Sequence, residues 1–185
     1  MSGSEENEGM MSEQRSVEAT FVNACAATLE QLCRRIETCI DKLTPEQIWT
    51  RHGENENAPG NLVLHLTGNV RQWILSGVGG APDIRERDRE FDARGGLEIS
   101  GLKEGLRSTV DSAATLIRSL PPERLTVRTR IQGHDVTVLE AILHVVEHFS
   151  GHTGQIIFVT KFLTGEDLGF YAHLRTRQTH GEKTP

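Results

Sequence analysis

Three histidines in the second half of the chain stand four residues apart, in the segment HVVEHFSGH that contains His144, His148 and His152. Successive members of such a series share one face of an α-helix, where two imidazoles can bind the same metal ion. His144 and His152 would lie about 12 Å apart along the helix, too far for all three to bind one ion easily. Either His144 with His148 or His148 with His152 is therefore the candidate pair.

Another histidine, His65, lies in the apolar segment LVLHLTG, where an imidazole buried without a partner would cost free energy. Asn69 follows one helical turn later on the same face. If this helix packs against the helix that carries the pair, then His65, His148 and His152 provide three nitrogen ligands. Such a site keeps one coordination position for water or substrate, as catalytic zinc sites do. The alternative interpretation is that each residue is an ordinary polar or packed helix position.

Four stretches of the chain repeat apolar residues every three or four positions, a period typical of amphipathic helices packed on a common core. Capping and breaking residues indicate where these helices begin and end. The expected long helices are residues 15–43, residues 61–78 capped by Asn61, residues 100–120 capped by Ser100, and residues 138–163 with Thr137 and Glu140 as a capping box. A short additional helix is expected after Thr44, in the segment TPEQ.

The connections between these helices differ in length. Residues 81–99 contain the charge run RERDREFDAR, which predicts a solvated crossover with a short helix around residues 84–91. Residues 125–138 alternate in polarity around Gln132-Gly133, which favours a short hairpin. The chain is therefore predicted to be an all-α protein, a four-helix bundle with a long crossover between helices two and three and a hairpin before helix four.

Both ends of the chain are polar. The predicted domains are a flexible acidic arm at residues 1–14, the bundle at residues 15–171 and a C-terminal tail at residues 172–185. The first residues are acidic where a secretory signal would be basic and then apolar, so a cytoplasmic location is expected. The three cysteines, Cys25, Cys33 and Cys39, fall in the first helix, which predicts reduced, packed thiols.

The net charge of the chain narrows the classes of partner. The formal charge is −6, from 20 basic and 26 acidic residues. Nucleic-acid binding needs a basic surface and is not expected. No apolar run approaches the roughly 20 residues of a membrane helix, so a membrane partner is not expected either. A small molecule is the expected partner of the histidine site.

The stretch EHFSGHTGQIIFVTKFLTGEDLGFY, together with LVLHLTGNVRQWI around residue 70, resembles the DinB-like (DinB/YfiT-like) superfamily. The resemblance spans about residues 15–171 in architecture and rests on few specific residues. It implies a four-helix bundle that binds a divalent metal ion through one histidine of helix two and two of helix four. By position these ligands are His65, His148 and His152. Zinc or nickel is favoured as the ion, with iron as a further option.

The resemblance also implies a class of function. The superfamily includes thiol-dependent transferases and isomerases, so we expect a low-molecular-weight thiol and S-transfer or detoxification chemistry. Asn69 and His144 are expected either to orient the substrate or to support the metal site from outside its ligand set. The alternatives are a non-catalytic, stress-associated dimer with a metal site, and a bundle without metal. A homodimer is expected from the resemblance, and Gly151 and Gly154 would allow close helix approach within the bundle or at a dimer face.

Overall fold

The computed structural model describes residues 16–175 and begins with helix α1 (Val17–Ile40). Ser16 caps this helix, and its side chain accepts a hydrogen bond from the Ala19 N–H at 3.2 Å. The apolar stripe of α1 faces the core and includes all three cysteines as free, buried thiols. Burial raises the pKa of Cys33 to about 12 and that of Cys39 to about 11, so both thiols stay protonated at neutral pH.

A short helix, α2 (Pro45–Ile48), leads into α3 (Pro59–Val70), which continues as a π-helical segment, Arg71–Val78. The capping box predicted at Thr44 is present in α2. The predicted cap of α3 is wrong, because the helix begins two residues earlier, at Pro59, with Ala58 as its cap. Proline is favoured at a first helical position, and the Asn61 side chain instead accepts a hydrogen bond from the Ala58 N–H at 3.2 Å.

The crossover between the second and third long helices contains one short helix, α4 (Arg87–Asp92). It leads to α5 (Ile99–Ser119), which ends before Pro121 and Pro122 as predicted. Ser100, the predicted cap of α5, lies inside the helix, and Glu98 is the cap. The half-buried Ile99 packs against the core, which extends the helical period one residue further back than Ser100 suggests.

A 3₁₀ turn (Pro122–Thr126) precedes the predicted hairpin, in which β1 (Arg128–Ile131) pairs antiparallel with β2 (His134–Thr137). Gln132 and Gly133 both have positive φ, 52° and 83°, as a two-residue hairpin turn requires. Helix α6 (Val138–Thr164) follows at once, with the predicted capping box of Thr137 and Glu140. Gly165 ends α6 in the left-handed conformation at φ 69°.

Helices α1 and α3 each pack against both α5 and α6, so the four long helices enclose one core. The largest fully buried side chains come from all four helices and include Leu29, Ile36, Leu66, Leu106, Ile117, Ile142, Phe149 and Ile156. This arrangement confirms the predicted all-α bundle with its crossover and hairpin. Within residues 16–175, no helix combines the length and the apolar character needed to cross a membrane.

The predicted arm, residues 1–14, lies outside the described residues. The first residues of the predicted tail form a one-turn helix, α7 (Ala172–Arg175), and residues 176–185 again lie outside the description.

Thr137→Ala should lower the free energy of unfolding by about 1 kcal/mol, because the hydroxyl accepts a hydrogen bond from the Glu140 N–H at the start of α6. Helix α6 contains His148 and His152. Urea denaturation measures the change. Thr126→Ala, at an exposed turn position, is the matched control and should change stability by less. Equal effects of the two substitutions would contradict the importance of the capping box.

Candidate metal centre

Helices α3 and α6 bring three of the predicted site residues together. The Nε2 atoms of His65 and His148 lie 3.1 Å apart, and the ring centroids of His65 and His152 lie 5.1 Å apart. One ring nitrogen from each of the three residues lies within 4.8 Å of the other two. Of the two pairs that the spacing allowed on α6, it is therefore His148 with His152 that faces His65.

The second ring nitrogens of two of these histidines contact polar side chains. Nδ1 of His65 lies 3.1 Å from a carboxylate oxygen of Glu90, and Nδ1 of His152 lies 2.7 Å from Oε1 of Gln155. Nη2 of Arg85, a donor, also lies 3.1 Å from Nδ1 of His65, but it already donates to Glu90 at 2.8 Å. The oxygens of Glu90 and Gln155 are acceptors, so a proton on each Nδ1 would donate to them and leave Nε2 unprotonated. Metal-binding histidines commonly have such a partner, which fixes the tautomer and the ring orientation.

Glu90 belongs to the crossover and forms a buried ion pair with Arg85. Arg85 donates to both carboxylate oxygens, from Nε at 2.7 Å and from Nη2 at 2.8 Å. The side chains of Arg85 and Glu90 are only 3% and 10% exposed. Burial by itself raises the pKa of Glu90, but the hydrogen bonds from Arg85 and His65 outweigh it, and the pKa lies below its ordinary value. Glu90 is therefore an anion beside the imidazole of His65.

The backbone of α4 is held against α3 by a fully buried amide side chain. Nδ2 of Asn61 donates to the carbonyl oxygens of Glu90 and Ala93, each at 2.9 Å. Oδ1 of Asn61 accepts from the Arg51 guanidinium at 2.7 Å. On α4, the ring centroid of Phe91 lies 4.7 Å from that of His65. The crossover therefore covers one side of His65.

A glycine on α3 makes room for this contact. A Cβ atom at Gly68 would lie 1.9 Å from Oε1 of Glu90 and 2.9 Å from Nε of Arg85. No side chain larger than hydrogen fits there while the ion pair keeps its position. The group that approaches α3 at Gly68 is therefore the crossover carboxylate.

The prediction of a solvated charge run in the crossover is wrong for two of its residues, Arg85 and Glu90. Both side chains are buried because they form an ion pair with each other next to Nδ1 of His65 on α3. Sequence reasoning missed these two residues, and also Arg51 and Gln155, as contributors to the site. A charge run without helical period carries no signal that distinguishes its buried members from its solvated ones.

His144, Asn69 and Glu147 have different positions. His144 lies outside the cluster, and its ring contacts the buried Trp73 ring with centroids 4.0 Å apart. Asn69 is buried on α3, one turn beyond His65. Glu147 is exposed and lines a pocket of about 490 Å³ with His144, His148, Gly151, His152 and Gln155.

The pocket adjoins a larger groove of about 900 Å³, and Gly151 and Gln155 line both. Phe158 and Phe162 form part of the groove and are 70% and 68% exposed. A Cβ atom at Gly151 or Gly154 would meet no atom of the described part of the chain within 4 Å. The expectation that these glycines allow close approach within the bundle is therefore wrong, because they face outward, away from the other helices.

The environment of His148 and His152 favours neutral imidazoles, which is the form that binds metal. Burial, followed by the nearby histidines, lowers the pKa of His148 to about 3. Burial also lowers the pKa of His152, partly opposed by its hydrogen bond with Gln155. At neutral pH neither residue has to lose a proton before binding a cation.

The donor set fits a divalent transition metal. Nitrogen ligands at about 2.1 Å from one ion lie roughly 3–3.4 Å apart in tetrahedral or octahedral geometry. The 3.1 Å separation of His65 and His148 falls in this range. Three imidazoles are suited to zinc, nickel or iron, and they do not select calcium or magnesium, which prefer oxygen. Three histidines of this chain could therefore hold a metal ion.

A family model described as "Protein of unknown function (DUF1572)" matches residues 16–175. The chain belongs to this family. No curated protein matches the chain. The structure of a conserved protein from Enterococcus faecalis is similar with a TM-score of 0.66, at 14% identity, over 77% of this chain and 96% of that one.

A DinB-like protein from Bacillus cereus is similar with a TM-score of 0.58, at 16% identity, over 71% of this chain and 85% of that one. At these identities the likeness shows the fold. That fold is the helical bundle which the resemblance to the DinB-like superfamily implied.

Gly68→Ala should lower the free energy of unfolding by about 1–3 kcal/mol, because the new methyl group would displace Glu90 from His65. The measurement is urea denaturation of the purified protein. Gly105→Ala on α5 is the matched control. Its added methyl would meet nothing within 4 Å, so it should leave stability unchanged or raise it by up to about 1 kcal/mol. Equal stability of the Gly68 variant and the wild type would contradict the buried position of Glu90.

Proposed function

We propose that this protein is a metal-dependent enzyme that binds a divalent ion through His65, His148 and His152 and catalyses thiol-dependent S-transfer or related detoxification chemistry. One observation carries the metal site: nitrogen atoms from two helices, 83 residues apart in the chain, meet at 3.1 Å beside a third imidazole. The thiol chemistry rests on the resemblance to the DinB-like superfamily. Zinc or nickel is the proposed ion, with iron as a further option.

The residues around the three histidines have distinct proposed roles. Glu90, held by Arg85, orients His65, and Gln155 orients His152. A divalent ion in this site would lower the pKa of a bound low-molecular-weight thiol, so that it reacts as a thiolate with an electrophile. The pocket lined by Glu147, His148 and His152 gives a small substrate a route to the histidines.

A cytoplasmic location belongs to this proposal. The cytoplasm keeps small thiols and protein thiols reduced. The free state of Cys25, Cys33 and Cys39 is compatible with such a compartment.

A second copy of the chain is the proposed partner. The outward face of α6 carries Leu143, Gly151, Gly154, Phe158 and Phe162, and the three large residues are half or more exposed. The two phenylalanines are a typical mark of an interaction surface. In an antiparallel pairing of two α6 helices centred between residues 152 and 153, Leu143 of one copy would lie opposite Phe162 of the other. Gly151 would lie opposite Gly154, which permits close approach of the two backbones.

The purified protein should contain about one divalent ion per chain, and alanine substitution of His65, His148 or His152 should each remove most of it. Elemental analysis measures the metal content. His173→Ala, at an exposed position on α7, is the control and should keep the metal. Wild-type metal content in all three cluster variants would refute the proposed ligand set.

Cobalt(II)-substituted protein should develop a sulfur-to-cobalt charge-transfer band when glutathione or cysteine is added, because the proposal places a thiolate at the ion. Serine, the oxygen analogue of cysteine, should produce no such band. A transfer assay with 1-chloro-2,4-dinitrobenzene then tests turnover. Bound metal that stabilises the fold, with neither the band nor turnover, would instead support a non-catalytic metal-binding bundle.

The double substitution of Phe158 and Phe162 by aspartate should convert a dimer into a monomer, because four carboxylates would enter the proposed apolar interface. Light scattering after gel filtration measures the mass. Leu97→Asp, at a similarly exposed apolar position in the crossover, should remain dimeric. A wild-type protein that is monomeric at every concentration tested would refute the dimer without affecting the metal proposal.

A further inference from the structure

Three buried side-chain atoms of the described residues have no hydrogen-bond partner: Oδ1 of Asn69, Nε1 of Trp73 and Nδ1 of His148. Leaving a buried polar atom unpaired costs about 1–3 kcal/mol. Native proteins have few such atoms, so three from the same two facing helices call for a physical reason. Asn69 and Trp73 are each only 4% exposed.

Asn69 lies between two contacts that join α3 to α6. One turn before it on α3, His65 meets His148. One turn after it, the ring of Trp73 contacts the ring of His144. The two contacts run in opposite chain directions, which places Asn69 on α3 at the level of the stretch of α6 between His144 and His148.

The chemistry of the unpaired atoms is complementary. His65 and His152 each have an acceptor at Nδ1, from Glu90 and Gln155, whereas Nδ1 of His148 has none. If His148 binds a metal through Nε2, its Nδ1 carries the proton and needs an acceptor. The carbonyl oxygen of Asn69 is an acceptor with two lone pairs and no donor.

We propose that Asn69 is the positioning residue of His148: its Oδ1 accepts the Nδ1–H of His148, directly or through one water molecule, and so turns Nε2 towards the metal. This inference rests on the proposed metal site. It gives each of the three histidines its own oxygen acceptor, with Glu90 for His65, Asn69 for His148 and Gln155 for His152. Asn69 thereby acts on the ion only through His148.

A purely structural role for Asn69 has a different signature. If Oδ1 served only the fold, its loss would destabilise the protein with and without metal. If Oδ1 serves His148, then Asn69→Leu removes an unpaired acceptor from the metal-free protein and replaces it with an apolar group of similar size. The metal-free variant should then be at least as stable as the wild type, while its metal affinity falls.

The test measures zinc affinity by competition with a chelator, and the melting temperature of the metal-free protein, for Asn69→Leu and Asn69→Asp. We expect Asn69→Leu to weaken zinc binding about 10–100-fold without lowering the melting temperature of the metal-free protein. Asn69→Asp keeps an acceptor oxygen and should bind zinc within a few-fold of the wild type. Unchanged affinity in Asn69→Leu, or an equal loss in both variants, would overturn the proposal.

A measurement on the unmodified protein covers the case in which Asn69→Leu does not fold. Long-range ¹⁵N–¹H correlation spectra of the zinc-loaded wild type should show His148 with its proton on Nδ1, and the opposite tautomer would overturn the proposal. His148→Ala separates the two levels of inference. If that variant still binds zinc like the wild type, the metal site itself is wrong. If it loses zinc while Asn69→Leu does not, only the role of Asn69 is wrong.

Discussion

The buried contact between Glu90 and His65 determines how the crossover meets the bundle. Taking Arg85 and Glu90 out of water costs several kcal/mol for each ion, and their attraction offsets this cost only where the geometry is good and the remaining polar atoms are bonded. Here both carboxylate oxygens accept from Arg85, and one of them also faces Nδ1 of His65. With Asn61 holding the backbone of α4, the crossover becomes a fixed wall of the histidine site.

Local rules explain which parts of the fold could be predicted from the sequence. Helical period alone located the four long helices, because burial of one stripe repeats every three to four residues in each of them. The capping boxes at Thr44 and Thr137 were also predictable, since a cap involves residues only three apart. The caps predicted at Asn61 and Ser100 were wrong. Pro59 and Ile99 extend their helices towards the N-terminus, beyond the residue that resembles a cap.

The walls of the site could not be predicted because their burial is decided by partners far along the chain. In the sequence, Arg85 and Glu90 cannot be distinguished from solvated charged residues. They are buried because they pack against His65 and the backbone of Gly68 on α3. The outward direction of Gly151 and Gly154 was hidden in the same way. Their spacing is compatible with close approach to any helix, and only the position of α6 in the bundle shows that no helix within residues 16–175 packs against them.

Metal binding and fold stability act on the same two helices in this arrangement. Ligands from α3 and α6 would be joined by the ion, so binding favours the folded chain by RT ln(1 + [M]/Kd), about 4 kcal/mol at a thousand times Kd. Burial, followed by the nearby histidines, lowers the pKa of His148 to about 3, so its imidazole is already neutral when the metal arrives. What binding still requires is orientation of three rings. The crossover fixes the ring of His65 through Glu90. The unfavourable free energy of burying Arg85 and Glu90 therefore helps to prepare the site for metal binding.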